Sequence, residues 1–539
     1  MPLTRTWQLA AGSAVAGLAL AVGAVAAAGP WDSGQRKAER DWAAAQGRTG
    51  GADHGLQEGP GKVPAGLPQP VAAPSAPGVL QGLGTAAVTP AGATALARAL
   101  APLLGDAGLG TTRTACVVDV ATGRLLYGSD EARPMTPAST TKIATALAVL
   151  AARGAEYRIE TRVLADPDAR RVVLIGGGDP TLTARTPRGA GGPAAGTPGP
   201  PPSPTGPPPT SAKAPATATP ASPRPLVPAP GPAAPPAALR ASGGPGATGG
   251  SLVELADQTA RQLRARAVTS VRVDYDTGLY SGPATHPIGA GNENIAPVSA
   301  LMADEGRLDG SAAGPAPRAQ DPAAAAARTF AGLLADRGVR VTGTPAPGRP
   351  APKATPVAAT ASAPLSVLVE RMLTESDNDL AEALARQTAL AAGQPASFEG
   401  AERAVTTQLR GLGVDLRGAR FADGSGLSRQ DRVSAAQLTA LLARAADPAR
   451  AELRPVLTGL PVAGFTGTLR ARNADDSPAA GLLRAKTGTL KGVNSLAGTV
   501  VDPTGRLLAF AFLADGTPGP GAAQPALDRL AAAVATTTQ

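Results

Sequence analysis

The sequence predicts an α/β (α+β) protein, a discontinuous domain with an antiparallel sheet flanked by helices and a smaller module inserted into it. Three observations lead there. Strand-like apolar runs sit at both ends of the ordered chain, at residues 114–128 and 482–513. Helical patterns fill the region between them. Pro/Ala-rich sequence interrupts that region, mainly at 183–250 and again at 344–364. Strands from two distant segments that share one sheet make a discontinuous domain, and the interruption at about 166–358 then reads as a separate module.

Taken in order, residues 1–28 place Arg5 before an uncharged apolar run from Leu9 to Ala28 that ends in small residues. This predicts an export signal or an uncleaved anchor, long enough to span a bilayer, with the rest of the chain outside the cytoplasm. Residues 29–90 are polar, then rich in Pro, Gly and Ala, and predict a linker. Residues 91–165 form the first part of the main domain: a helix at 91–104, a strand at 114–120, a turn at Ala121-Thr122-Gly123 and a strand at 124–128. The module at 166–358 opens with a strand at 171–175 that runs into Gly176-Gly177-Gly178-Asp179. No Lys-Ser/Thr follows those glycines, so a phosphate loop is not indicated. The tract 183–250 has too little apolar surface to offset its ordering entropy and is expected to be disordered. A helix at 251–265, a strand at 268–275 and a helix at 321–337 stopped by Gly338 follow. Residues 359–535 return to the main domain with a helical region from 365, a further helix carrying Leu380, Ala381 and Leu384, a Gly-rich loop at 423–429 followed by helices to about 446, strands at 482–486 (running into Thr487-Gly488-Thr489), 493–501 and 506–513, and a helix at 525–535.

The net charge of +9 would suit nucleic acid, but the basic residues are scattered and no nucleic-acid motif is present. Attraction to an anionic cell wall fits as well. Cys116 is the one cysteine, which excludes an intramolecular disulfide, and its apolar surroundings read as a buried small side chain. The two histidines, His54 and His286, lie in contexts that argue against a Ser-His-Asp triad or a histidine zinc site.

The chemistry concentrates around Pro137-Ala138-Ser139-Thr140-Thr141-Lys142. Pro134 and Pro137 suit a helix start, Ser139 and Thr140 can cap one, and Ile143, Leu147 and Leu150 form an apolar helical face. Ser139 is then expected in the first turn of a buried helix with Lys142 one turn on. A serine hydroxyl needs a base, and a lysine pressed into apolar surroundings has its pKa lowered towards that role. Alone, Ser-x-x-Lys is more often a capped helix with an ordinary lysine. Here Ser376-Asp377-Asn378 and Lys486-Thr487-Gly488 follow it, once each and in order, which is the signature shared by penicillin-binding proteins and class A β-lactamases. Acyl transfer needs a nucleophile (Ser139), a base (Lys142) and a proton route to the leaving amine, for which Ser376 is the candidate. Asn378 can hold a substrate amide, while Lys486, Thr487 and Thr489 offer charge and hydroxyls to a terminal carboxylate. The backbone N–H groups of Ser139 and Thr489 are the candidate oxyanion donors.

Further runs extend the pattern: Gly177-Gly178-Asp179-Pro180-Thr181-Leu182, Asp423-Gly424-Ser425-Gly426-Leu427-Ser428-Arg429 and Gly464-Phe465-Thr466-Gly467-Thr468-Leu469. With these, and the long insertion between Lys142 and Ser376, the chain from about Ala91 onward resembles the low-molecular-mass class C penicillin-binding proteins, the D-alanyl-D-alanine carboxypeptidase/endopeptidase family. The resemblance implies a transpeptidase-like, β-lactamase-like domain with one or two small inserted domains. It implies cleavage of terminal D-Ala-D-Ala in peptidoglycan stem peptides, and often of cross-links. Ser139 would be the acyl-ester nucleophile and Lys142 the proton acceptor. Ser376 and Asn378 would belong to the second motif, and Lys486, Thr487 and Gly488 to the third. β-Lactams would acylate Ser139, and no metal or organic cofactor is implied. The tract 183–250 departs from the family in its proline content. Asp179 and Asp423 read as a turn residue and a loop cap. Two other functions compete: a serine β-lactamase, which would add a deacylating base, and a non-catalytic wall-binding scaffold, which the basic balance and tethers would suit.

Overall fold

The computed structural model describes residues 90–185, 249–474 and 477–537. The expected export segment, nearly all of the expected linker and most of the Pro-rich tract lie outside them. Among the described residues, no helix is long and apolar enough to cross a membrane.

Helix α1 (Pro90–Leu104) buries Leu96, Leu100 and Leu104 at successive turns. Strands β1 (Thr112–Asp119) and β2 (Leu125–Ser129) form an antiparallel hairpin, and α2 (Lys142–Arg153) follows. Strands β3 (Glu160–Ala165) and β4 (Arg171–Ile175) pair antiparallel. Ser251 caps α3 (Leu252–Ala265) by accepting from the Glu254 amide, and β5 (Ser270–Asp276) comes next. Asp321 caps α4 (Pro322–Asp336) in the same way, with Pro322 in its first turn. Short strands β6 (Arg340–Val341) and β7 (Ala346–Pro347) lead to β8 (Thr355–Ala361). Then come α5 (Leu365–Glu375), α6 (Asn378–Ala391), α7 (Phe398–Gly411), α8 (Ala435–Ala445) and the single turn α9 (Pro455–Thr458). Strands β9 (Leu483–Leu490), β10 (Val493–Val501) and β11 (Leu507–Asp515) and helix α10 (Pro520–Thr536) complete the order.

The first sheet has the order β2-β1-β11-β10-β9, antiparallel throughout. Its central pairing joins the two ends of the described chain, with Thr112 opposite Asp515 and Asp119 opposite Leu508. Strand alternation divides its side chains between two cores. Ala115, Val117, Phe510 and Phe512 face α1 and α10, packing with Leu96, Leu100, Leu527 and Leu530. Cys116, Ala509, Ala511 and Leu513 face the helices α2, α5, α6 and α8. Small residues on that second face let α8 pack directly on the sheet, while the turn Ala138–Thr141 at the head of α2 lies against β9 and β10.

The second sheet has the order β6-β5-β4-β3-β8, with β7 also paired to β5. Strand β3 is antiparallel to β4 and β8, whereas β4, β5 and β6 are parallel. Helices α3 and α4 cover it, with Leu263, Phe330 and Leu334 packed on Val163, Leu174 and Val273. Strand β8 falls inside the stretch that reads as a second Pro/Ala interruption. Its Val357, Ala358 and Ala359 are buried against β3, so small side chains serve as core there. Helix α7 is absent from the sequence-based expectations. It buries Phe398, Ala401, Ala404, Val405 and Leu409 along a weakly apolar stripe.

Leu530, wholly buried between α10 and the first sheet, tests this layering. Leu530→Ala should lower stability by about 2–5 kcal/mol, read by denaturant unfolding.

Candidate active site

The turn carrying Ser139 is held from three sides. The Pro137 carbonyl accepts hydrogen bonds from Ser495 Oγ on β10 and from Thr140 Oγ1, both at 2.7 Å. Ala138 adopts a left-handed conformation, φ 51°. A side chain at Gly488 on β9 would collide with Ser495 Oγ and sit 2.7 Å from the Pro137 oxygen. One at Gly426 (φ 82°) would collide with the Ala138 carbonyl. These two glycines therefore let a strand and a loop close on the backbone around Ser139. Residues Ala138–Thr141 form a 3-10 turn that runs directly into α2. Ser139 thus lies one turn before the α-helix proper, and neither Ser139 nor Thr140 caps it. Helical dihedrals continue through Thr141 (φ −49°, ψ −34°), so there is no break to cap.

Lys142 is completely buried. Its Nζ donates to Asn378 Oδ1 at 2.6 Å, to the Ser425 carbonyl at 2.7 Å and to Ser139 Oγ at 3.2 Å. Burial pulls its pKa down to about 8, against the opposing pull of Asp423, Asp377, Glu382 and Asp431.

Ser376, Asp377 and Asn378 occupy the junction of α5 and α6. Ser376 ends α5 in a left-handed conformation, φ 58°, and Asp377 caps α6 through the Leu380 amide. Asn378 links two regions: Oδ1 receives Lys142, and Nδ2 donates to the Asn294 carbonyl at 3.0 Å. Ser139, Ser376, Asn378, Thr487 and Thr489 line one open cleft of about 420 Å³, joined by Arg307, Arg318 and Arg472.

Lys486 does not line that cleft. It is wholly buried, and Nζ donates to the Thr487 carbonyl at 3.0 Å. Burial, with the charges of Lys142 and Arg472, holds its pKa well below the usual lysine range. Alternation along β9 explains the division, because Thr487 and Thr489 share one face while Lys486 and Gly488 share the other. That period of two was the available signal. Thr487 Oγ1 also meets Thr468 Oγ1 at 2.9 Å, which draws the Gly464–Leu469 run into the wall.

Beside the cleft lies a charged network that, apart from Asp377, carries no sequence motif. Glu305, Asp377 and Asp379 lie close enough together to hold a cation, yet Arg307, Arg318 and Arg371 are interleaved with them as ion-pair partners. This network ties the chain between β5 and α4 to the Ser376–Asn378 junction. Asp423 is the loop cap its sequence suggests, accepting from Gly426 N at 2.6 Å and Ser428 N at 2.7 Å. Asp179 accepts from Thr181 within its own turn. Burial pushes the Cys116 thiol up to about 11, against the Thr439 contact, so it is a packing residue.

A serine beside a buried, deprotonatable lysine, in a cleft edged by a strand, defines an acyl-transfer site of the penicillin-recognising kind. The comparisons agree. Residues 96–318 and 309–536 match the D-Ala-D-Ala carboxypeptidase 3 (S13) family. A carboxypeptidase DacB of Mycolicibacterium smegmatis is 35% identical over 476 residues, covering 86% of this chain and 88% of that protein. A D-alanyl-D-alanine carboxypeptidase of an Actinomadura species is 31% identical over 435 residues, covering 75% and 78%. The solved penicillin binding protein 4 of Haemophilus influenzae shares the fold at 19% identity, with TM-score 0.57, over 82% of this chain and 98% of its own. The chain belongs to the D-Ala-D-Ala carboxypeptidase 3 (S13) family. Its activity is accordingly that of a serine DD-peptidase, a penicillin-binding hydrolase.

Gly488→Ala should force β9 away from the Ser139 turn. The expected cost is about 1–3 kcal/mol in denaturant unfolding, with loss of penicillin labelling in the fraction that still folds.

Proposed function

We propose that this chain cleaves D-alanyl-D-alanine at the ends, and in cross-links, of peptidoglycan stem peptides through an acyl-enzyme on Ser139. The observation that carries the reading is the set of acceptors around Lys142 Nζ. As an ammonium it has three N–H groups for three acceptors. The contacts to Asn378 and Ser425 are short, and the contact to Ser139 is the longest. The proton given up first is therefore the one facing Ser139, which leaves a lone pair aimed at the hydroxyl.

Lys142 then takes the Ser139 proton as Oγ attacks the carbonyl of the penultimate D-alanine. The developing oxyanion is received by the Ser139 and Thr489 amides. Ser376, on the same cleft, passes a proton to the leaving amine, and the C–N bond breaks to release D-alanine. Water adds to the ester by the reverse proton path, restoring Ser139 and freeing the shortened peptide. Thr487 and Thr489 offer hydroxyls to the terminal carboxylate, with Arg472 the nearby cation on the cleft wall. Lys486 supports this strand from within, and Asn378 positions both Lys142 and the peptide amide. β-Lactams acylate the same serine. The substrate lies outside the cytoplasm, so the reading includes export by the apolar segment near the N-terminus.

A fluorescent penicillin should give long-lived label on the native protein and none on Ser139→Ala, while D-alanine release from a stem pentapeptide is lost in parallel. Folded native protein that takes no label and releases no D-alanine would overturn the reading. Lys142→Ala should slow acylation by about 10²–10⁴-fold. The acylation rate should climb with pH as Lys142 loses its proton and level off above about 8, because only the neutral amine can accept a proton.

A further inference from the structure

Behind the Lys142 amine lies a buried polar cluster that no motif announces. The Ser425 carbonyl that receives Lys142 belongs to a loop wrapped around two carboxylates. Glu382 Oε1 on α6 accepts the Gly424 and Ser425 amides, both at 3.0 Å, and Asp423 accepts those of Gly426 and Ser428. His286, from the chain between β5 and α4, reaches this loop. Its Nε2 stands 3.0 Å from Asp423 Oδ2 and 3.5 Å from Glu382 Oε1, at ion-pair distance without an aligned hydrogen bond. The ring packs edge-on against Phe398 of α7, 5.2 Å between centroids.

The charges around His286 can be counted. Glu382 pairs with Arg386 at 3.2 Å. Burial and the charge of Asp423 push the Asp431 carboxyl well above its ordinary pKa, which weakens its negative charge. Arg318, lining the same small pocket as His286, is matched by Asp379. Asp423 is left for His286 to balance. Burial alone would discharge the imidazole, but Asp423 and Glu382 outweigh it and push its pKa up to about 9. Protonating Nδ1 gives up one long contact, with the Ile288 amide at 3.3 Å, and gains the attraction of two carboxylates. The charged form wins.

Building on the proposed role of Lys142 as base, we propose that His286 is a positioning residue for it. As a buried cation beside Asp423 and Glu382 it anchors the loop that aims the Ser425 carbonyl at the Lys142 amine. It also cancels negative charge that would otherwise hold the proton on Lys142. The base is thereby coupled to a segment outside its own sheet. A metal on these three side chains is the weaker alternative, because the amides and Arg386 already occupy the carboxylate oxygens.

Two measurements test this. The chain has two histidines, so an NMR titration of the intact protein resolves two imidazoles. One, His286, should remain charged through neutrality and titrate near 9. Titration of both near the ordinary value of about 6.5 would overturn the proposal without any mutation. Separately, penicillin acylation is followed from about pH 6 to about pH 10 for His286→Gln and His286→Ala, normalised to the protein that eventually labels. Removing the cation should move the acidic limb up by about one pH unit, making acylation about tenfold slower at neutral pH and close to native at high pH. A lower amount of labelling protein with an unmoved limb would mean a purely structural role and would refute the inference. Loss of labelling in the native protein would instead strike at the acyl-enzyme reading on which it rests.

Discussion

The site depends on one buried amine. Lys142 is removed from water, and a lone ammonium in that position would be costly. Three acceptors from three parts of the chain compensate: Ser139 beside α2, Asn378 at the start of α6, and the carbonyl of Ser425. Each acceptor in turn needs its own support. Pro137, Gly488 and Ser495 fix the serine turn. Asn294 braces Asn378, and Glu382 and Asp423 organise the Ser425 loop. The two cores and the first sheet can be read as the frame that brings these supports within hydrogen-bonding distance of one nitrogen.

Electrostatics then sets the working state. Burial lowers the affinity of Lys142 for its proton, while nearby carboxylates raise it, and the balance leaves the group near 8. A base poised there is mostly protonated at neutrality but loses its proton at modest cost. Lys486 is equally buried, and with the charges of Lys142 and Arg472 near it, its pKa is also held well below the usual lysine range. Keeping two lysines close together in the interior is tolerable because at least one of them can be neutral.

Much of this was legible in the sequence because the chemistry is local there. Ser139 and Lys142 lie three residues apart, and each of the other motifs is a tripeptide. The strands of the first sheet were legible because runs such as Val493–Val501 and Leu507–Asp515 are long and apolar. Strand β8 was not, since Thr355–Ala361 contains Pro356 and mostly alanine, and only its pairing with β3 makes it a strand. The orientation of Lys486 was missed although alternation along β9 encodes it. His286, Glu305 and Arg318 were out of reach for a different reason: they act on residues far along the chain, and their own neighbours in sequence carry no trace of the partner.

The bond from Ser495 to the Pro137 carbonyl spans 358 positions of sequence. Contacts of that reach close late, after the loop entropy between them has been overcome. The hairpin of β9 and β10 must therefore dock before the serine turn acquires its final shape. A chain emerging in order from synthesis has its nucleophile early but not the strand that completes the site. The enzyme is thus inert by construction until its last segment arrives, and appearance of activity marks the end of folding rather than its beginning.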